Sequence, residues 1–122
     1  MGQNPLNLAF RFLLEILALL AVGYWGWVEH TGLLRILLAV GLPVLAAVLW
    51  ATFRVPGDAS ASGRAPVAVP GWLRLLLELG LFAAATWALF GAGAATAATI
   101  FGLAVVVHYA ISYDRVLWLL RQ

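Results

Sequence analysis

Apolar positions in this chain come in long blocks, about 6–27, 33–53, 72–90 and 95–120, separated by short or polar stretches. Each block is near the roughly 20 residues that cross bilayer hydrocarbon as a helix, so the pattern predicts four membrane-spanning helices. Val28 to Gly32 and Gly91 to Ala94 are short connections suited to antiparallel neighbouring helices. The spans therefore group as two hairpins, residues 1–54 and 72–122. Residues 55–71 hold three of the five prolines among small and polar residues and are expected to form a mobile linker. Pro5 and Pro70 stand just ahead of odd-numbered spans, where a missing N–H suits the first helical turn. Pro43 lies inside the second span and is expected to kink or loosen it, because the carbonyl four residues back loses its donor.

The polar positions that interrupt the apolar blocks repeat. Arg11-Phe-Leu-Leu-Glu15 and Arg74-Leu-Leu-Leu-Glu78 lie 63 residues apart, and Gly41-Leu42 to Arg54 matches Gly102-Leu103 to Arg115 at an offset of 61. Leucine-rich helices resemble one another by default, so the weight rests on three charged matches: Arg11 with Arg74, Glu15 with Glu78, and Arg54 with Arg115. Since each unit carries two spans, both units enter the membrane in one orientation, as parallel repeats. The expected fold class is an all-α membrane protein, four transmembrane helices arranged as two parallel-repeat hairpins.

Composition agrees with that reading and narrows it. With 65% apolar residues, 10% charged residues and a mean hydropathy of +1.02, the 122 residues have too little polar surface for a soluble globule. Six of the seven arginines, Arg11, Arg54, Arg64, Arg74, Arg115 and Arg121, fall on one side of the four-span arrangement, and Arg35 falls on the other. The positive-inside rule then makes both termini and the linker cytoplasmic. The first span is long for a signal-peptide core and lacks a basic leader and a small-x-small site, which favours a retained span. Tyr24, Trp25, Trp27, Trp72 and Trp118 fall at span ends, as an interfacial aromatic belt requires. Cysteine is absent, which removes disulfide, thiol and thiolate-metal chemistry. No phosphate-binding loop, nucleophile elbow or zinc-protease signature occurs, and nothing points to nucleic acid.

At 1.5 Å per residue, Glu15, Glu78 and His108 lie at a similar depth, roughly 10 Å inside the cytoplasmic ends of their helices. His108, Ser112 and Arg115 share one stripe of the last span, and Tyr109 lies on an adjoining stripe. The candidate binding or proton-responsive residues are thus Glu15, Glu78, His108, Arg11, Arg74, Tyr109, Ser112 and Arg115. Intramembrane carboxylates are costly. They are expected either to clasp hairpin to hairpin through arginine or to line a wet cavity that takes a proton, a cation or a headgroup. Two Glu and one His form an unspecific metal set, and neither a metal nor another cofactor is expected. Glu29 in the outer turn is placed to meet Arg35, and Asp114 to pair with Arg115.

Leu8-Ala-Phe-Arg-Phe-Leu-Leu-Glu15, Gly23-Tyr-Trp-Gly26, Gly41-Leu-Pro43 and Val69-Pro-Gly-Trp-Leu-Arg-Leu-Leu-Leu-Glu78 resemble the YrdB-like family of small bacterial membrane proteins, whose function is uncharacterised. The resemblance covers most of the chain. It implies a four-helix bundle in a bacterial inner membrane and supplies no activity. The functional expectation is a non-enzymatic membrane subunit that binds lipid or stabilises a partner membrane protein, with homo-oligomerisation as a further possibility. The alternative is an oligomeric proton- or cation-coupled transporter or channel subunit using Glu15 and Glu78.

Overall fold

The computed structural model describes residues 4–58 and 65–122. The chain is helical: α1 Pro5–Val28, α2 Gly32–Thr52, α3 Gly71–Gly91, α4 Ala95–Ile111 and α5 Tyr113–Leu120, with two short strands, β1 Phe53–Arg54 and β2 Val67–Ala68, paired in parallel. Three helices, α1, α2 and α3, are long and apolar enough to cross a membrane, and α4 with α5 passes the same test only as a bent pair. Leucine, tryptophan and phenylalanine side chains are exposed over the outer faces. A soluble monomer does not present apolar surface on that scale.

α1 starts where its sequence says it should. The Asn4 side chain accepts from Leu6 N at 2.9 Å, and Pro5 fills the first helical position. Its partner α2 runs through Pro43 as one continuous helix. The carbonyl that Pro43 leaves without its usual donor belongs to Ala39, and it faces Gly23 of α1: a Cβ at position 23 would lie 3.0 Å from that oxygen and 3.1 Å from Pro43 Cγ. One turn on, a Cβ at Gly26 would lie 2.7 Å from the Leu38 carbonyl carbon. Glycine lets the two backbones close to a distance that no side chain would permit. The proline is therefore absorbed at a helix contact.

The two hairpins are packed differently. Leu14, Ala18 and Ala21 of α1, Phe82 and Ala85 of α3, and Phe101 and Val105 of α4 form one core. α2 leans on α1, touches α3 only sparingly, and buries none of its residues. The small residues in the core bring α1, α3 and α4 together, while α2 remains a flanking helix.

The last apolar block, expected as one span over 95–120, breaks at Ser112, and α5 turns away from α4 by 70°. Ser112 N–H still donates to His108 O at 2.9 Å and so closes α4, while Ser112 O accepts from Arg115 N at 2.9 Å and opens α5. Asp114 sits in the first turn of α5, where a negative charge suits the helix dipole. The short helix lies across the start of α3. Its Leu119 is buried, and a Cβ on Gly71 would lie 1.6 Å from Leu119 O, so this crossing exists only because position 71 is glycine.

The described ends of the linker are held in place rather than loose. β1 and β2 pair Phe53 with Val67 and Arg54 with Ala68, and Val69 N donates to Arg54 O at 3.1 Å. Val55-Pro-Gly-Asp58 forms a tight turn in which Asp58 N donates to Val55 O at 3.2 Å, with Gly57 at φ +84°. Val55 and Asp58 are both buried. Residues 59–64 of the expected linker lie outside the described residues.

At the opposite end of the bundle, Arg35 does not take Glu29 as its partner. Its Nε donates to the carbonyls of Trp27 and His30, at 2.8 and 3.0 Å, and its guanidinium lies over the Trp27 ring at 4.6 Å. The free carbonyls at the end of a helix attract a cation, and they win over the exposed carboxylate.

Candidate functional site

Glu78 sits one turn beyond Arg74 on the face of α3 turned toward α1 and α5, and it is 0% exposed. Its Oε2 meets Arg11 Nη2 of α1 at 2.7 Å, Arg74 Nε of its own helix at 2.8 Å and Arg115 Nη2 of α5 at 2.8 Å. Its Oε1 accepts from the Tyr109 hydroxyl of α4 at 2.8 Å and from Arg115 Nη1 at 2.9 Å. An ionised carboxylate has about four lone-pair sites. Four aligned donors fill them, and Arg11 adds its charge alongside.

Each arginine carries the connection further. Arg74 Nη1 donates to Trp50 O at 2.6 Å and to Phe53 O at 2.9 Å, satisfying carbonyls at the end of α2. Arg115 grips Asp58 in the linker turn with two bonds, Nε to Oδ1 at 3.0 Å and Nη2 to Oδ2 at 2.6 Å, the fork geometry that guanidinium and carboxylate share. Arg11 spans Glu78 and Glu15, with its Nε 3.2 Å from Glu15 Oε1. Its N–H bonds are not aligned on either oxygen, so it holds the two acids by Coulomb attraction rather than by directed hydrogen bonds. The Trp50 ring faces Arg74 at 4.5 Å and Arg11 at 5.3 Å, within cation–π range. One carboxylate thereby connects all five helices and the linker.

Three guanidiniums, Arg11, Arg74 and Arg115, face three carboxylates, Glu15, Glu78 and Asp58. Balanced charge is what allows such a group to exist away from water. His108 borders the cluster, with Nε2 3.4 Å from Arg11 Nη1. A guanidinium has no acceptor, so Nε2 is the accepting nitrogen, and the proton on Nδ1 finds no hydrogen-bond partner among the described residues. Phe10 and Tyr109 hold the imidazole edge-on, at 5.6 and 5.2 Å. Ser112 Oγ accepts from Asn7 Nδ2 at 2.6 Å, tying the start of α1 to the break between α4 and α5.

The eight residues picked out by sequence thus converge on one end of the bundle, with different surroundings. Glu78, Arg11, Arg74, Arg115, His108 and Ser112 are buried, and Tyr109 is half-buried. Glu15 is 20% exposed and lines a cavity of about 190 Å³ with Phe12, Ile16, Trp50 and Leu81. The matched arginines diverge too: Arg115 is bound to Glu78 and Asp58, while Arg54 lies in β1. Asp58, Asn7 and the ring of Trp50 were not anticipated as parts of the site. Of the three, Asp58 is the one the sequence signals. Three arginines against two glutamates leave one positive charge uncompensated, and Pro56-Gly57 signals a turn that fixes the next side chain. No group of three or more His, Cys, Asp or Glu suited to a metal occurs among the described residues.

Residues 9–107 match a family described as a protein of unknown function, DUF2568. The chain is also similar to the uncharacterized protein YrdB of Bacillus subtilis (strain 168), 39% identical over 119 residues that cover 98% of this chain and 97% of that protein. No solved structure matches it.

Proposed function

The chain belongs to the DUF2568 family, and from that premise we propose that it is a non-enzymatic integral membrane subunit, locked from within by Glu78 and acting through its apolar outer faces on lipid or on a partner membrane protein. The saturation of Glu78 carries this reading. A carboxylate that shuttles protons or ions needs acceptor capacity and a path to water. Here every lone pair is engaged by a group that would itself be stranded in hydrocarbon if the acid let go. α2, none of whose residues is fully buried within the chain, supports an outward role.

In the membrane arrangement we propose, α1, α2, α3 and α4 cross, both termini face the cytoplasm, and α5 lies along the cytoplasmic surface. The six-to-one distribution of arginine supports this orientation. Because the chain has no cysteine, Glu29→Cys and Gln122→Cys report on the two faces separately. In intact cells an impermeant maleimide is expected to label the first and spare the second; the reverse pattern contradicts the orientation.

Extraction from native membranes into polymer nanodiscs, followed by native mass spectrometry, tests the function. The chain is expected to emerge with one protein or lipid species in fixed ratio, and vesicles of the purified chain are expected to pass protons and potassium no faster than empty vesicles. Emergence with bulk lipid alone, together with a flux that Glu78→Gln abolishes, contradicts the proposal.

A further inference from the structure

Glu15 and Glu78 occupy matching places in the repeated Arg-x-x-x-Glu segments, yet their surroundings differ. Glu78 shows what a carboxylate in this layer takes when it is built to stay closed: four hydrogen bonds, a further guanidinium beside it and no exposure. Glu15 has Arg11 Nε at 3.2 Å and shares its cavity with the Trp50 indole, and it keeps unfilled acceptor capacity. That capacity adjoins a cavity of about 190 Å³ whose other walls are the apolar side chains of α1, α2 and α3 and the Trp50 indole. An apolar cavity of ~150 Å³ accepts benzene, so this one holds a body of about one ring. Its rim includes Phe12 and Ile16, both exposed on the outer surface of α1. The mouth therefore opens onto the lipid phase.

We propose that the Glu15 cavity binds a small lipophilic cation, an ammonium group carried on an apolar body about the size of one aromatic ring. The apolar walls take the body, and Glu15 takes the charge through a charge-assisted hydrogen bond, the strongest kind open to it. Arg11 does not block this. It is shared between two acids without directed hydrogen bonds to either, so it remains with Glu78 when Glu15 accepts a second cation. A neutral or anionic ligand of the same shape gains nothing from Glu15. The site adjoins the Glu78 node through Arg11 and does not depend on the role proposed for the outer faces.

Calorimetric titration of the purified chain in dodecyl maltoside with benzylammonium, against its neutral isostere ethylbenzene, tests the proposal. Saturable binding of one benzylammonium per chain is expected, with ethylbenzene failing to displace it. Glu15→Gln should weaken binding at least about tenfold while Glu15→Asp retains most of it. Ala47→Phe, which fills the cavity from its exposed rim on α2 and leaves Glu15 in place, should also abolish binding. Absence of saturable binding, equal affinity in a Glu15→Gln protein that melts like the parent, or full competition by ethylbenzene overturns the proposal. Added phosphatidylethanolamine separates the sources: displacement of benzylammonium assigns the ammonium to a lipid headgroup, and lack of displacement assigns it to a free amine, each with Glu15 as the receptor.

Discussion

Replacing Glu78 by Gln is the sharpest perturbation available, because the two side chains are nearly isosteric and only charge and one acceptor are lost. In the native site two hydrogen bonds reach each carboxylate oxygen, and Arg11 adds its charge beside Oε2. Whichever position becomes the amide nitrogen, at least two N–H or O–H groups then face a donor instead of an acceptor. The cluster is left with three guanidiniums against Glu15 and Asp58, one charge short of balance. Breaking a buried pair in this way costs about 3–5 kcal/mol. At about 4 °C per kcal/mol for a chain of roughly this size, the melting temperature in detergent should fall by ~12 °C or more. Glu15→Gln removes one 3.2 Å contact from a partly open side chain, a loss of about 1 kcal/mol or less. The assay is thermal unfolding of both variants by circular dichroism under identical detergent conditions. If the two melt within about 2 °C of each other, the assignment of Glu78 as the internal lock is refuted.

Three further outcomes follow from particular contacts. Gly71→Ala should destabilise the chain by about 1–3 kcal/mol, because the added methyl displaces the α5 backbone at Leu119; hydrogen exchange over Val116–Leu120 should accelerate, and an unchanged rate would contradict the close crossing. Asp58→Asn should release the linker turn while Arg115 stays on Glu78, so exchange at Val55–Asp58 should rise more than at α3, and equal protection would count against the Asp58 anchor. Gly26→Val should separate α1 from α2, seen as loss of stability by about 1–3 kcal/mol in the same melting assay; a neutral effect would contradict the backbone contact at Leu38.

The helices were legible because a span needs only a long apolar run, and the charged layer because three of the apolar blocks place their costly residues at one depth. Ser112 was harder to read. The block 95–120 is apolar over most of its length, but its last eight residues switch to one buried face, Arg115 with Leu119, against exposed Tyr113, Asp114, Leu117 and Leu120. A long apolar run hides that switch. The surroundings of Pro43 were hidden as well, since it meets Gly23 in another helix, and a sequence pattern does not show which glycine a proline meets. The repeat predicted two equivalent acids. Their difference arises from groups outside the Arg-x-x-x-Glu segments, Tyr109 and the Asp58-bound Arg115 for Glu78, and an open cavity for Glu15.

The account depends most on Glu78 being coupled to the arginines that surround it, and a double-mutant cycle between Glu78→Gln and Arg115→Met measures that coupling directly. Unfolding free energies of the parent, both single variants and the double variant, taken in mixed detergent and dodecyl sulfate, are expected to give an interaction energy of about 2–3 kcal/mol, with the double variant more stable than additivity allows. Additivity to within about 0.5 kcal/mol would contradict the lock at the centre of the bundle.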